Sequence, residues 1–342
     1  MTTPALTPSR LRPVHVVSGS VALVAALAAG TLVGPSGLTA GAALGALVDW
    51  IPGVDTAPIS DAHSAILFSW RLPRVVLGAL VGACLAMSGA AYQGVFRNPL
   101  ADPYLLGAAA GAGLGATVAI TTGARGLIGL AAFAGALAAV GVAYALGRAA
   151  GGRTGPAIIL AGVAVAAFLT ATQTYLQQRN TDTLREVYVW ILGRLSTNGW
   201  GDVLTLLPYA LGAGTVIFAL RRHLDVLAVG EEEAATLGLP VGRVRLLLVA
   251  AATLATSAAV AVSGLIGFVG IIVPHLVRLV AGASYRVVVP LSMLFGAAFM
   301  VITDLGARTV MSPAELPIGV VTAFLGAPFF LLVLRRSRRV VE

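Results

Sequence analysis

The chain has 342 residues, 58% hydrophobic and 11% charged, where a soluble domain is roughly 45–50% apolar and about 25% charged. That balance, with a mean hydropathy of +0.93, excludes a soluble globular fold and predicts a single membrane domain over residues 1–342. The net charge is +8 and all 22 basic residues are arginines, scattered at the ends of apolar runs without interleaved aromatics, which points to lipid headgroups and not to nucleic acid.

A helix crossing a bilayer needs about 20 mostly apolar residues. Ten stretches qualify as all-α transmembrane helices: 14–34, 73–93, 104–122, 127–147, 156–177, 203–221, 244–263, 265–281, 288–304 and 315–334. Arg10 and Arg12 ahead of the first give the look of a signal peptide. The long apolar stretches that follow make it an uncleaved first span instead. Residues 35–70 form an extracytoplasmic segment with Pro, Gly and Asp, long enough for a short surface helix. Arg71-Leu72-Pro73-Arg74 stands at the outer mouth of the second span. Cys84, inside that span, is the sole cysteine, so no internal disulfide can form, and it reads as a small packing residue.

The second and third spans are joined by a polar run: Gln93, Arg97, Asn98, Pro99, Leu100, Ala101, Asp102, Pro103, then Leu106 and Gly107. Two prolines break the helix there. Irregular backbone at membrane depth is tolerated only where protein or a water-filled cavity surrounds it, so Gln93, Asn98, Pro99, Leu100, Leu106 and Gly107 are candidates for a pathway or gate segment. Ser88-Gly89 followed by Pro99 is echoed by Ser263-Gly264 followed by Pro274, a faint inverted repeat of the kind transporters use.

The longest inner loop, 222–242, holds Gly230-Glu231-Glu232-Glu233-Ala234 and Leu237-Gly238-Leu239-Pro240. Gly230 can end one element, three glutamates suit the first turn of the next, and Gly238 and Pro240 can stop it. A short amphipathic helix of about two turns is expected, its glutamates a solvated cap. Downstream, glycines three apart at 264, 267 and 270 suit close packing and lead to Pro274, His275 and Arg278. His275 has no Cys, Asp or His at ligand spacing; no metal site is expected. Asp304, Arg308 and Glu315 gather near the outer end of the last two spans.

With the N-terminus inside, 15 of the 22 arginines fall on the inner side, including Arg10, Arg153, Arg221, Arg222 and the Arg335–Arg339 cluster; the other seven are Arg71, Arg74, Arg125, Arg179, Arg185, Arg194 and Arg308. The excess predicts both termini in the cytoplasm. No H-E-x-x-H, C-x-x-C or G-x-S-x-G motif occurs. A Walker A loop needs a lysine to reach the β- and γ-phosphates, and the chain has no lysine. An enzyme is not expected, and any ATP would be hydrolysed elsewhere. An ion-driven secondary transporter is the rival reading, but such proteins bury ionisable groups mid-span, whereas Asp304 and Glu315 lie near the outer boundary.

Three runs together resemble the FecCD family, the membrane subunits of ATP-binding-cassette importers for ferric siderophores, haem and cobalamin. They are Gln93…Asn98-Pro99-Leu100-Ala101-Asp102-Pro103…Leu106-Gly107, Gly267-Phe268-Val269-Gly270…Pro274-His275…Arg278, and Glu315-Leu316-Pro317-Ile318-Gly319…Gly326-Ala327-Pro328-Phe329-Phe330. The resemblance spans about Arg71 to Leu334 and implies a BtuC-like importer permease fold of ten helices in the inner cell membrane. It implies dimerisation with a second copy or a sister permease, and an ATPase dimer on the cytoplasmic face that alone binds ATP and Mg. The residues Gly230, Glu231, Glu232, Glu233, Ala234, Leu237, Gly238 and Leu239 would then couple to the ATPase. Arg71, Arg74 and Arg308 would receive an extracytoplasmic substrate-binding protein. An iron chelate is the expected cargo, with cobalamin the alternative.

Overall fold

A computed structural model of the protein describes residues 11–34, 37–49, 59–150 and 155–338. Arg10, Arg153, Arg339 and the middle of the 35–70 segment lie outside the described residues.

In hydrocarbon no water satisfies a peptide group, so these apolar stretches must close their hydrogen bonds internally, as helices. α1 (Pro13–Leu32) opens with proline at a position whose missing N–H has no intrahelical partner to lose. The outer segment then forms α2 (Ala40–Val48), capped by Thr39, and α3 (Asp61–Ala65), capped by Ser60. A π-helical turn, Ile66–Arg71, joins α3 to α4 (Leu72–Val95), giving one continuous rod. α5 (Ala108–Thr121), α6 (Ile128–Ala149) and α7 (Gly155–Arg179) follow, then the short α8 (Leu184–Ile191). After α9 (Gly201–Val229) come α10 (Glu231–Thr236), α11 (Val241–Ser263), α12 (Val269–Ala281), α13 (Tyr285–Thr309) and α14 (Ile318–Arg338).

Among the described residues seven helical stretches are long and apolar enough to cross a membrane: those containing α1, α4, α6, α7, α9, α11 and α13. The predicted spans at 104–122, 265–281 and 315–334 correspond to three shorter apolar helices. Each starts late for a local reason. Gly107 and Phe268 adopt left-handed backbone immediately before α5 and α12, and Pro317 precedes α14. The predicted inner loop 222–242 also shrinks. No breaker separates Arg221 from Val229, so α9 continues to Gly230.

Burial sorts the long helices into two layers. α4 is 78% buried over its most apolar window, and α11 and α13 are 67% buried. α1, α6, α7 and α9 are only 22–28% buried and present Leu130, Leu160, Val163, Phe168, Leu204 and Leu211 outward, the disposition of lipid-facing helices. α4 is the axis, packed against α13, α11, α9 and α12. Contact there is backbone to backbone. A Cβ on Gly82 would lie 2.1 Å from the Gly296 carbonyl oxygen, and one on Gly89 2.1 Å from that of Gly270. Such approach is how membrane helices gain dispersion contact without a hydrophobic driving force. The core around α4 includes Cys84, which is fully buried.

The two copies of the echoed motif sit in different local structure. Pro99 lies in a connection, whereas Pro274 lies inside α12. Ser88-Gly89 is nearly two turns short of the end of α4, whereas Ser263 closes α11.

Candidate functional site

The bundle is polar at its two ends. At one end α4 begins, α13 ends and α14 begins, beside the last turn of α1. Arg74 donates from Nε to both Asp304 oxygens at 3.1 Å, and its two terminal nitrogens reach Glu315 at 2.9 and 3.0 Å. Asp304 is 3% exposed at its side chain and is flanked one turn on by Arg308 at 3.5 Å. The guanidinium of Arg71 donates to the carbonyls of Thr31 (3.0 Å) and Leu32, and that of Arg308 to the carbonyl of Gly30. These carbonyls close α1, where the helix leaves acceptors unmatched and its dipole is negative. The three arginines expected to receive a binding protein are engaged within the chain. Arg71 and Arg308 are each 4% exposed and turned inward onto α1, and Arg74 sits in a carboxylate fork.

At the opposite end the gate candidates are assembled by contacts between segments far apart in sequence. Gln93, in the last turns of α4, is buried. Its Nε2 donates to the carbonyls of Gly270 (2.9 Å) and Ala101 (3.3 Å), and its Oε1 accepts from Arg278 at 2.5 Å. The connection 96–107 is shaped by its own polar side chains: Asn98 Oδ1 accepts from the Leu100 N–H and Asp102 Oδ1 from the Tyr104 N–H. Tyr104 then bridges to the stretch before α12. Its hydroxyl donates to the Ile266 carbonyl at 3.0 Å and accepts from the Ile266 N–H at 3.1 Å. One phenol thereby satisfies both backbone groups of a residue outside any helix. The segments around 93–107 and 264–278 are therefore a single packed unit. Within it Gln93 and Leu106 are buried inside the chain, Asn98 and Leu100 are half-buried, Pro99 is exposed, and Gly107 caps α5 with φ +85°.

The same end carries α10. Gly230, with φ +152°, closes α9 and opens α10 at once. The helix ends on Gly238 (φ +80°). There the Leu239 N–H bonds the Ala234 carbonyl and the Gly238 N–H bonds the Ala235 carbonyl, the paired closing bonds of a Schellman motif. Ala234 is buried and anchors the segment. Glu232, Glu233 and Leu237 face outward, with Leu237 71% exposed. Glu231 departs from the solvated cap read in the sequence, because it forms an ion pair with the buried Arg245 of α11.

Sequence reasoning missed Asp225, Arg245 and Tyr285. Asp225, near the end of α9, accepts from the Ser284 hydroxyl (2.8 Å) and the Tyr285 N–H (2.6 Å) and pairs with Arg286 at 3.4 Å. No spacing rule joins residues about sixty positions apart; a lone acid among arginines was the available signal. His275 packs its ring against Phe329, and no His/Cys/Asp/Glu group of metal-binding size occurs among the described residues.

The FecCD transport family profile matches residues 21–336. The chain is 45% identical over 279 residues to the cobalamin import system permease protein BtuC of Halobacterium salinarum, covering 81% of this chain and 75% of that one. It is 38% identical over 287 residues to the hemin transport system permease protein HmuU of Yersinia pestis, covering 82% and 86%. Among solved structures, an inward-facing metal-chelate type ABC transporter superposes with a TM-score of 0.82 at 28% identity, covering 95% of this chain and all of that one. On sequence and fold together, this membrane protein belongs to the FecCD transport family.

Proposed function

We propose that the chain is the permease subunit of an ATP-binding-cassette importer that carries a bulky metal chelate into the cytoplasm by alternating access. The observation that carries this is α10: a six-residue helix, hinged on glycine at both ends, with Leu237 71% exposed on a face of the bundle that carries arginines. A single exposed leucine is ordinary by itself; on a short glycine-bounded helix of a FecCD family chain it is our candidate contact, and Gly230 to Leu239 is the segment we assign to an ATPase dimer. In this reading the three shorter helices complete a set of ten spans, both termini are cytoplasmic, and the protein resides in the inner cell membrane, paired with a second permease.

The end holding Arg71, Arg74 and Arg308 is the proposed docking side for a substrate-binding protein. Three guanidiniums gather there with two carboxylates: Arg74 and Arg308 pair with Asp304, Arg74 also with Glu315, and Arg71 is held by the α1 carbonyls. The surplus positive charge favours an acidic partner, acting mainly on register and association rate. An iron chelate, a ferric siderophore or haem, is the first cargo reading, supported by relatives named for hemin, Fe(3+)-citrate and iron(3+)-hydroxamate import. Cobalamin is the second, favoured by the 45% identity to a cobalamin permease. Both are metals already chelated, so the chain needs no ligand cluster of its own.

The test is binding-protein-dependent uptake into proteoliposomes holding the assembled complex, with haemin, a ferric hydroxamate, ferric citrate and cyanocobalamin in parallel. ATP-dependent accumulation of one of them is expected. Uptake that persists without ATP and follows an imposed ion gradient would overturn the reading. Deleting residues 231–237 should abolish co-purification of the ATPase while leaving membrane insertion intact.

A further inference from the structure

Gln93 and Arg278 belong to a longer chain of contacts that begins beside α10. Asp225 is five residues before Gly230, on the last turns of α9. It holds the α12–α13 turn through Ser284, the Tyr285 N–H and Arg286. Tyr285 in turn holds Arg278 by its hydroxyl, at 3.4 Å, and by its ring, 5.4 Å from the guanidinium carbon. Arg278 grips the amide oxygen of Gln93, and the amide nitrogen of Gln93 holds Gly270 and Ala101. Arg278 stands at the crossing of these contacts, joining α12, α13 and α4.

We propose that Arg278 is a positioning residue whose guanidinium ties the 97–107 connection to the α9 end that carries α10, so that displacement of the 230–239 segment is passed to that connection. This rests on the reading of 230–239 as the segment a partner moves. The physics favours this guanidinium over other contacts at this end. Hydrogen bonds to a charged donor are roughly twice as strong as neutral ones, and surrounding low dielectric strengthens them further. Its partner is short and half-rigid: Gln93 has both ends of its amide engaged, so it cannot follow Arg278 without moving Ala101. Among the described residues, the other side-chain hydrogen bonds of the 97–107 connection reach no further than the stretch before α12: Asn98 and Asp102 bond within the connection and Tyr104 bonds Ile266. The hydrogen-bonded route to α9 passes through Gln93 and Arg278, alongside the direct packing of Gly94 against Leu224 and Tyr285.

Hydrogen–deuterium exchange on the full chain in nanodiscs tests the tie directly. Arg278→Ala should speed exchange at least fivefold in both 97–107 and 230–239. Tyr285→Phe, a milder change that keeps the ring, should do the same to a smaller degree, which guards against a variant that fails to fold. Faster exchange confined to the neighbourhood of Gln93, with 230–239 unchanged, would overturn the proposal. In the assembled complex, for whichever of the four chelates the wild type imports, Arg278→Ala and Gln93→Ala should each lower uptake at least tenfold. Their combination should be no worse than either alone, because coupled residues are not additive, while Arg125→Ala, at the exposed outer pair with Glu186, should keep wild-type uptake. Full additivity, or undiminished uptake by Arg278→Ala, would overturn it. A wild type that imports none of the chelates removes the importer reading and leaves the exchange result to decide the tie.

Discussion

Asp304 sits between Arg74 and Arg308 with almost no access to water. Its charge is what lets two guanidiniums be interior at all. Asp304→Asn leaves them facing only Glu315 and the carbonyls of α1, and removing one partner of a buried pair costs about 3–5 kcal/mol. A clear drop in the thermal unfolding midpoint of the purified protein is expected, with loss of α1 protection in exchange measurements. Tyr104 makes a second test at this scale. Tyr104→Phe strands the N–H and carbonyl of Ile266 in a place no helix serves. An unsatisfied buried polar group costs about 1–3 kcal/mol, so a smaller destabilisation is expected by the same assay, with residues 264–268 exchanging faster.

At the scale of elements, the helices were legible in the sequence wherever apolar length alone decided them. α1, α6, α7, α9, α11 and α13 needed only hydropathy, because a bilayer leaves no alternative to the helix. Breakers told the rest in part. Gly230, the glutamates and Gly238 marked α10 from composition, and Pro99 with Pro103 marked the connection before α5. What stayed illegible was which broken pieces meet. The Tyr104–Ile266 and Gln93–Gly270 contacts join positions more than 160 apart, and no periodicity encodes a tertiary pairing. Nor could sequence tell that Arg71 and Arg308 turn inward, because an arginine at a span end can reach headgroups or helix carbonyls equally well. α10 supplies the prediction for this scale. Leu237 touches little of its own chain, so Leu237→Asp should change stability by about 0.5 kcal/mol or less yet sharply reduce capture of the ATPase in pull-down. Equal capture by variant and wild type would remove Leu237 from the proposed docking surface.

The whole molecule is a helical bundle with a buried inner set of helices, a less buried outer set and unlike polar ends: a carboxylate–arginine knot at one, and the packed 93–107 and 264–278 segments with an exposed short helix at the other. The proposed orientation puts the knot outside and α10 inside. Met311, 55% exposed at the knot end, and Leu237 should therefore answer to opposite sides of the membrane when each is replaced by cysteine and treated with an impermeant maleimide. Labelling of both from the same side would refute it. The natural chain is unusually well suited to such work. Its one thiol, Cys84, has no surface in contact with solvent, so the unaltered protein should act as its own blank. Each introduced cysteine then reports as a single addressable position, and distances between pairs of them can be followed through a transport cycle without first stripping sulfur from the core.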